Sequence, residues 1–263
     1  MTIEFACAVE QGRRNYNDDR VMICGNVVNC GADCACGSMP EMAAVCDGCG
    51  GHSGGYVAAQ LVLETLARLD CAELLDETAL TAALDQAEKR IAEAKEMSPQ
   101  FCQMCTTVAG CMFGEEKTLI FHSGDTRVYR YDGGRIARMT IDHSAVQELV
   151  DMGQITEEEA RVHPNRNIIR RAIGLGGLPP EIYVCGSSME PGEIYLICSD
   201  GLWESLTDER IQELLSAEQS LEKKAKELVE AALKSGSDDN ISVVLCSRFD
   251  HVPKKQAQRL ILD

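Results

Sequence analysis

No stretch of the 263-residue chain approaches the ~18–20 consecutive apolar residues that a membrane-crossing helix needs. The N-terminus also lacks the basic-then-apolar pattern of a secretory signal. Both absences point to a soluble cytoplasmic protein. Positive charge is scarce, with 25 Lys and Arg against 42 Asp and Glu and a net charge of -17. So acidic a chain repels nucleic acid and anionic lipid, and neither is expected as a partner, nor is membrane insertion. Internal repeats, low-complexity tracts and dividing linkers are all missing. The length suffices for a large core, and one domain over residues 1–263 is expected.

Cysteine is plentiful, at 14 residues. Without a secretory signal these read as reduced thiols rather than a disulfide framework. Cys30, Cys34 and Cys36 fall in one glycine-containing loop, and Cys102 and Cys105 form a C-x-x-C. Neither group assembles four zinc ligands at a paired spacing, so small buried thiols are the expectation.

The most informative stretch is Ala43 to Gly55, A-A-V-C-D-G-C-G-G-H-S-G-G. An apolar run ends on Asp47, and a glycine-rich turn follows. Tyr56 to Leu69 then places Val57, Leu61, Leu66 and Leu69 on one face of a helix. Glycines there allow close backbone approach, and a carboxylate beside bare carbonyls suits a hard divalent cation. A strand-turn-helix joint with a capping Asp is the competing reading.

Ile3 to Val9 reads as a strand, and Val21 to Val28 as a second. Leu80, Leu84, Ala87, Ile91 and Ala94 mark a helix ending near Ser98-Pro99. Thr106 to Phe113, Thr118 to Ser123 and Arg127 to Tyr131 suit an antiparallel meander, with a hairpin turn at Asp132-Gly133-Gly134. Gln147 to Met152 is a short helix, and Thr156 with Glu159 fits a capping box. A flap is expected at about 144–181, with a basic surface segment from His163 to Arg171. Glu193 to Cys198 is a buried strand. Helices over Asp208 to Ser216 and Leu221 to Lys234, then a strand over Ile241 to Cys246, close the chain.

Asp47, Asp125 and Asp200 each end or follow an apolar run, and Asp239 precedes one. Carboxylates gathered at strand ends repel one another unless cations lie between them. Oxygen ligands with few histidines favour Mg2+ or Mn2+ over zinc. Two such ions suit in-line attack on a phosphoryl group, with Arg14 or Arg13 as a bidentate phosphate fork. Phosphate-ester hydrolysis and a cation-binding module without chemistry both fit. Cys7 to Arg13 matches the C-x5-R of cysteine phosphatases, but this many Cys and Arg yield about one such match by chance.

In order, the segments G-R-R-N-Y-N-D-D-R, V-C-D-G-C-G-G-H-S-G-G, T-T, H-S-G-D-T-R-V-Y-R, D-H-S, H-P-N-R-N, C-S-D-G-L-W and S-D-D-N span Gly12 to Val244. This set resembles the bacterial branch of the type 2C metal-dependent protein Ser/Thr phosphatases. The resemblance implies an α+β fold, a four-layer α-β-β-α sandwich of two antiparallel sheets flanked by helices. It implies hydrolysis of phosphoserine and phosphothreonine on proteins by a metal-bound water at a binuclear Mn2+ or Mg2+ centre, with a third, weaker ion in bacterial members. Phosphorylated proteins would be the partners, a cognate Ser/Thr kinase among them, and signalling the role. A catalytically weak phosphoprotein-binding relative is the alternative.

By the same resemblance, Asp47 bridges two ions with the Gly48 carbonyl on one, and Asp200 and Asp239 complete the other. Asp18 lies near a metal-bound water and Asp19 supports it. Arg14 binds phosphate, leaving Arg13 as surface charge. Asp125 ligates the third ion with Asp200, and Asn240 supports Asp239. The Thr106-Thr107 pair is a strand-packing element. His52 is structural, and His122 and His143 carry no chemistry. The chain departs from its relatives at Cys49, where bacterial members usually carry Met, and at Cys105, where glycine often stands. Cys49 is either an accessible thiol that peroxide oxidises or filler for the methionine's space.

Overall fold

The computed structural model describes residues 1–49 and 54–249, so His52 lies outside the described residues. The chain opens with β1 (Thr2–Glu10), β2 (Arg20–Ile23), β3 (Asn26–Val28), β4 (Gly31–Ser38), β5 (Glu41–Cys46) and the two-residue β6 (Gly48–Cys49). Helices α1 (Gly55–Ala67), α2 (Cys71–Leu74) and α3 (Glu77–Met97) follow. Next come β7 (Cys105–Thr106), β8 (Val108–Phe113), β9 (Thr118–Ser123), β10 (Arg127–Asp132) and β11 (Arg135–Arg138). After them are α4 (Ala145–Asp151), α5 (Glu157–Arg161), β12 (Glu181–Cys185) and β13 (Ile194–Cys198). The short α6 (Asp200–Trp203), α7 (Asp208–Ser216), α8 (Leu221–Lys234) and β14 (Ile241–Phe249) complete the order.

Two antiparallel sheets result, ordered β11-β10-β13-β14-β1-β4 and β12-β9-β8-β5-β2-β3, with β6-β7 as a separate pair. Strand periodicity sorts the side chains into layers. In β1, Phe5, Cys7 and Val9 enter the core between the sheets, while Ala6 and Ala8 face α8. In β5, Ala43 and Val45 point inward, and Met42, Ala44 and Cys46 face α1 and α3. Helices α7 and α8 cover the first sheet through Ile211, Leu215, Leu228 and Val229. The stack is therefore α-β-β-α, as the family resemblance implies.

Several local expectations are corrected. Val21 to Val28 is a hairpin, reversed at Cys24 (φ 48) and Gly25 (φ 74), and not one strand. The supposed cysteine loop is strand β4, paired with β1 along its length. Cys30, Cys34 and Cys102 are exposed, contrary to the buried thiols expected, and no disulfide joins any of the 14 cysteines. The buried face of α1 is Ala58, Ala59, Val62, Leu63 and Leu66, with Val57, Leu61 and Leu69 only at its margin. The expected strand over Thr106 to Phe113 divides into β7 and β8, separated by Thr107. The meander also fails: β9 pairs with β8, but β10 crosses to the other sheet and pairs with β13.

The C-x5-R reading of Cys7 is rejected. Cys7 is fully buried within β1, and burial pushes its thiol up to about 11. Arg13 is exposed on the following loop.

The sheets are keyed together by aromatics. Phe113 of β8 meets Phe5 at 6.2 Å and Tyr195 at 5.4 Å, the latter edge-on. Replacing Phe113 with Ala leaves a void between two rigid sheets that cannot collapse into it. Urea unfolding of Phe113→Ala should show a loss of about 3–5 kcal/mol. A loss below about 1 kcal/mol would mean that this contact is not central to the packing.

Candidate metal centre

Strand ends from both sheets deliver carboxylates to one edge of the sandwich. Asp47 follows β5, Asp200 follows β13 across Ser199, and Asp239 precedes β14 across Asn240. Asp18 and Asp19 precede β2, and Asp125 stands in the three-residue link between β9 and β10. Asp19 and Asp125 are 1% and 4% exposed.

Their proton affinities record the crowding. Burial first, and then Asp19, Asp200, Asp125 and Asp239, raise the Asp47 carboxyl well above the carboxylate range. Burial, then Asp125 and Asp239, do the same at Asp200. Asp125 is pushed up to about 7 by burial and then by Asp142. Asp19 rises to about 6, chiefly through burial, although it accepts from Ser199 Oγ at 2.8 Å. Asp19 and Asp47 influence each other's proton affinity, as close neighbours in one crowded site do. Asp19 Oδ1, Asp125 Oδ1 and Asp200 Oδ1 are buried with no hydrogen-bond partner. Buried, unsatisfied, oxygen-only donors that resist ionisation are a fit for hard divalent cations.

The backbone at Asp47 is clamped. Thr107 N–H donates to the Asp47 carbonyl at 2.9 Å, Thr106 Oγ1 donates to it at 2.9 Å, and Asp47 N–H donates to Thr107 Oγ1 at 3.1 Å. Thr107 Oγ1 lies 2.5 Å from Thr126 Oγ1, beside Asp125. The Thr pair is thus a positioning device for Asp47 rather than mere packing. At Gly48 a Cβ would fall 2.2 Å from the Gly55 carbonyl carbon and 2.7 Å from the Asp18 carbonyl oxygen. Only glycine lets β6 pass there.

Asn240 does more than support Asp239. Its Nδ2 donates to Gln11 O at 2.8 Å and Tyr16 O at 3.0 Å, and its Oδ1 accepts from Asp18 N–H at 2.9 Å. It therefore folds the polar loop onto β14. Asp18 Oδ1 in turn accepts from Tyr56 N–H in the first turn of α1 at 3.0 Å. Arg14 is half-exposed at the rim, where its Nη2 lies 2.7 Å from Asp239 Oδ2 and its Nε donates to Asp238 O at 3.2 Å.

Sequence reasoning missed a second layer behind Asp125. Arg127 forks onto Asp142 at 2.6–3.2 Å and lies 3.5 Å from the ring centroid of Trp203. Trp203 Nε1 donates to Asp125 O at 3.0 Å. These groups line a cavity of about 190 Å3 that also reaches Glu204, whose carboxyl is raised by burial. Arg127, Asp142 and Trp203 all stand inside the quoted segments S-G-D-T-R, D-H-S and C-S-D-G-L-W, which was the available signal.

One other ligand-type group occurs among the described residues: His122, His143 and Glu181, with ligand atoms within 4.8 Å of one another. His143 Nδ1 accepts from Gly124 N–H at 3.1 Å, so the neutral ring carries its proton on Nε2, facing Glu181 Oε1 at 3.3 Å. Arg171 occupies the same carboxylate oxygen at 2.7 Å. His143 thus props the Gly124–Asp125 turn, and Glu181 is already paired with Arg171.

A model of the family described as Protein phosphatase 2C matches residues 33–245. This chain belongs to the protein phosphatase 2C family. Among its phosphatase 2C relatives, the Mycobacterium tuberculosis serine/threonine protein phosphatase PstP is 38% identical over 215 residues. That match covers 80% of this chain but 41% of PstP, so the chain spans about two fifths of the first curated relatives it matches. A Listeria monocytogenes serine/threonine phosphatase is 32% identical over 212 residues, covering 78% of this chain and 83% of the relative. The crystal structure of the M. tuberculosis enzyme superposes with a TM-score of 0.81 at 34% identity, covering 94% of this chain and 99% of that one. A second structure, of the PstP catalytic domain in complex with two manganese ions, gives 0.78.

The raised carboxyls give a signed pH dependence for the cation-free protein. A folded-state value of about 7 at Asp125, against about 3.9 unfolded, means that the folded state holds the extra proton between those limits. That contribution to stability is present below about pH 4 and lost as pH rises through 7. Asp125→Asn removes the loss. In chelator its melting temperature should exceed the parent's at pH 8 and converge with it near pH 4. A gain independent of pH would show that Asp125 is not the strained group.

Proposed function

We propose that this chain hydrolyses phosphoserine and phosphothreonine esters on proteins with the aid of two Mn2+ or Mg2+ ions, and that residues 1–263 act as one phosphatase domain. The observation that carries the reading is the convergence of buried Asp19 and Asp125 with half-buried Asp47 and Asp200 at one edge, where Asp19, Asp125 and Asp200 each keep an unsatisfied oxygen. Relatives named as serine/threonine phosphatases, one of them solved with two manganese ions, support it. Asp47, the Gly48 carbonyl, Asp200 and Asp239 are the proposed ligand set, with Asp125 and Asp200 able to hold a third ion. Asp18 and Asp19 shape the space beside it.

Bound there, the ions would polarise phosphoryl oxygens and supply the nucleophile's charge. The chain's own residues do the rest. Asp19 and Asp47, whose carboxyls burial raises, would give up protons as cations enter. The Thr106-Thr107 clamp fixes Asp47, and the Arg14 guanidinium offers a planar fork to phosphate oxygens. Phosphorylated proteins, a Ser/Thr kinase among them, are the proposed substrates. Cytoplasmic signalling is the proposed setting. Among the described residues no helix is long and apolar enough to cross a membrane.

EDTA should abolish phosphopeptide hydrolysis, and Mn2+ should restore it. Full activity in chelator would sink the metal reading, and tight phosphopeptide binding without turnover would favour the phosphoprotein-binding alternative. Protons and cations compete for the raised carboxyls, so the rise in melting temperature on adding Mn2+ should be larger at pH 7.5 than at pH 5.5.

Asp200→Asn should lose nearly all turnover, because an amide is a weaker ligand. Arg14→Ala should chiefly raise KM, by about 1.5–3 kcal/mol if one charged contact is lost. An unchanged KM in Arg14→Ala would identify the wrong phosphate anchor.

A further inference from the structure

Two cysteines that the proposed chemistry does not use face each other beside the ligand set. In the β6-β7 pair, Gly48 stands opposite Thr106 and Cys49 opposite Cys105. Directly opposed residues on antiparallel strands have Cα atoms about 4.5–5.5 Å apart, inside the window of about 4.4–6.8 Å that a disulfide spans. Each thiol is the largest influence on the other's proton affinity, in keeping with their facing positions. Both are free; Cys105 is buried and Cys49 half-buried. Among the described residues no other two cysteines share a register position across paired strands.

We propose that Cys49 and Cys105 form a modification site, a dithiol that hydrogen peroxide converts to a cross-strand disulfide and so disables the adjacent catalytic centre. The sulfur of Cys49, the more accessible, attacks one peroxide oxygen. An S–O bond forms, the O–O bond breaks, and the thiol proton leaves with the departing hydroxide as water. Cys105 sulfur then attacks the sulfenic sulfur. The S–S bond forms, the S–O bond breaks, and the second thiol proton leaves in a second water. Two thiols are oxidised and one peroxide is reduced.

The consequence for activity rests on the phosphatase reading. A disulfide draws the sulfurs to about 2.05 Å and pulls β6 against β7. β6 has no room to adjust, because Gly48 is wedged between Gly55 and the Asp18 carbonyl. The movement therefore falls on the 47–48 peptide and on the Thr106-Thr107 clamp that holds it. Thr106 also exchanges two backbone hydrogen bonds of 2.9 Å with Ile173, and a Cβ on Gly174 would lie 3.2 Å from Cys105 Cα. The end of the flap thus rests on the same strand.

The test exposes the full chain to hydrogen peroxide, blocks remaining thiols by alkylation, and maps peptides without reduction while assaying phosphopeptide hydrolysis. The expected result is a fragment linking Cys49 to Cys105 and lighter by two hydrogens. It should accumulate in step with loss of activity, and dithiothreitol should reverse both. Cys49→Ala and Cys105→Ala should each abolish the fragment and keep the same activity with and without peroxide. Absence of the fragment, while exposed Cys30, Cys34 or Cys102 becomes oxidised, overturns the proposal. So does a Cys105→Ala enzyme that peroxide inhibits as strongly as the parent. A linked fragment with undiminished activity overturns its regulatory half. The fragment is read by mass, so a chain with no phosphatase activity still decides whether the disulfide forms.

Discussion

Mutual repulsion among carboxylates held out of water is the constraint on which the rest depends. Asp19, Asp47, Asp125 and Asp200 would each be better solvated apart, and in isolation each would ionise below pH 5. Strand continuity forbids separation, because each is joined to a strand anchored in a sheet core. Protonation is the metal-free response, expressed in the raised carboxyls. Internal guanidinium groups could have relieved the charge, but Arg127 is committed to Asp142 and Trp203, and Arg14 stays at the rim. Arg20, buried beside Asp18 and Asp19, spends its Nη1 on the Asn17 and Asp19 carbonyls, which leaves the carboxylates to small, hard cations.

Precision in such a centre comes from backbone more than from side chains. The Asp47 peptide is held on both its N–H and its carbonyl by adjacent threonines, and Thr107 reaches on to Thr126 beside Asp125. One amide, Asn240, closes the loop from Gln11 to Asp18 with three hydrogen bonds. Glycine supplies the complement: a Cβ on Gly201 would meet Asn240 O at 2.1 Å, so helix α6 starts directly against the approach to β14. Removing any one of these contacts leaves a buried polar group unpaired beside charges, where that costs most.

What was legible in the sequence follows from what is local. Helices α7 and α8 match their expected bounds because apolar period and the caps at Thr207 and Ser220 agree. The carboxylates were visible as breaks at the ends of apolar runs. Register and sheet membership were not visible. β9 and β10 are three residues apart yet belong to different sheets, since the link through Gly124 (φ 114) and Asp125 turns the chain across the sandwich. β4 was hidden because an exposed edge strand of Gly, Ala, Asp and Cys has neither alternation nor β-branched residues. Cys49 and Cys105 register in sequence as two unrelated departures. Only the pairing of β6 with β7 makes them one site.

Arg14 shows how charge at this edge can be exchanged rather than merely stored. Its guanidinium is the counter-ion of Asp239 Oδ2, and Asp239 Oδ1 accepts from Asn240 N–H, so both oxygens of that carboxylate are engaged within the chain. On the proposed reading Asp239 would also help to hold a cation, which would compete with the guanidinium for that carboxylate. Arg14, with about half of its side chain exposed and a second contact to the Asp238 carbonyl, would then be free to turn its fork toward substrate. An incoming phosphate dianion is the acceptor that best matches that fork in charge and geometry. Cation binding and substrate binding would thereby be coupled through the Asp239 carboxylate.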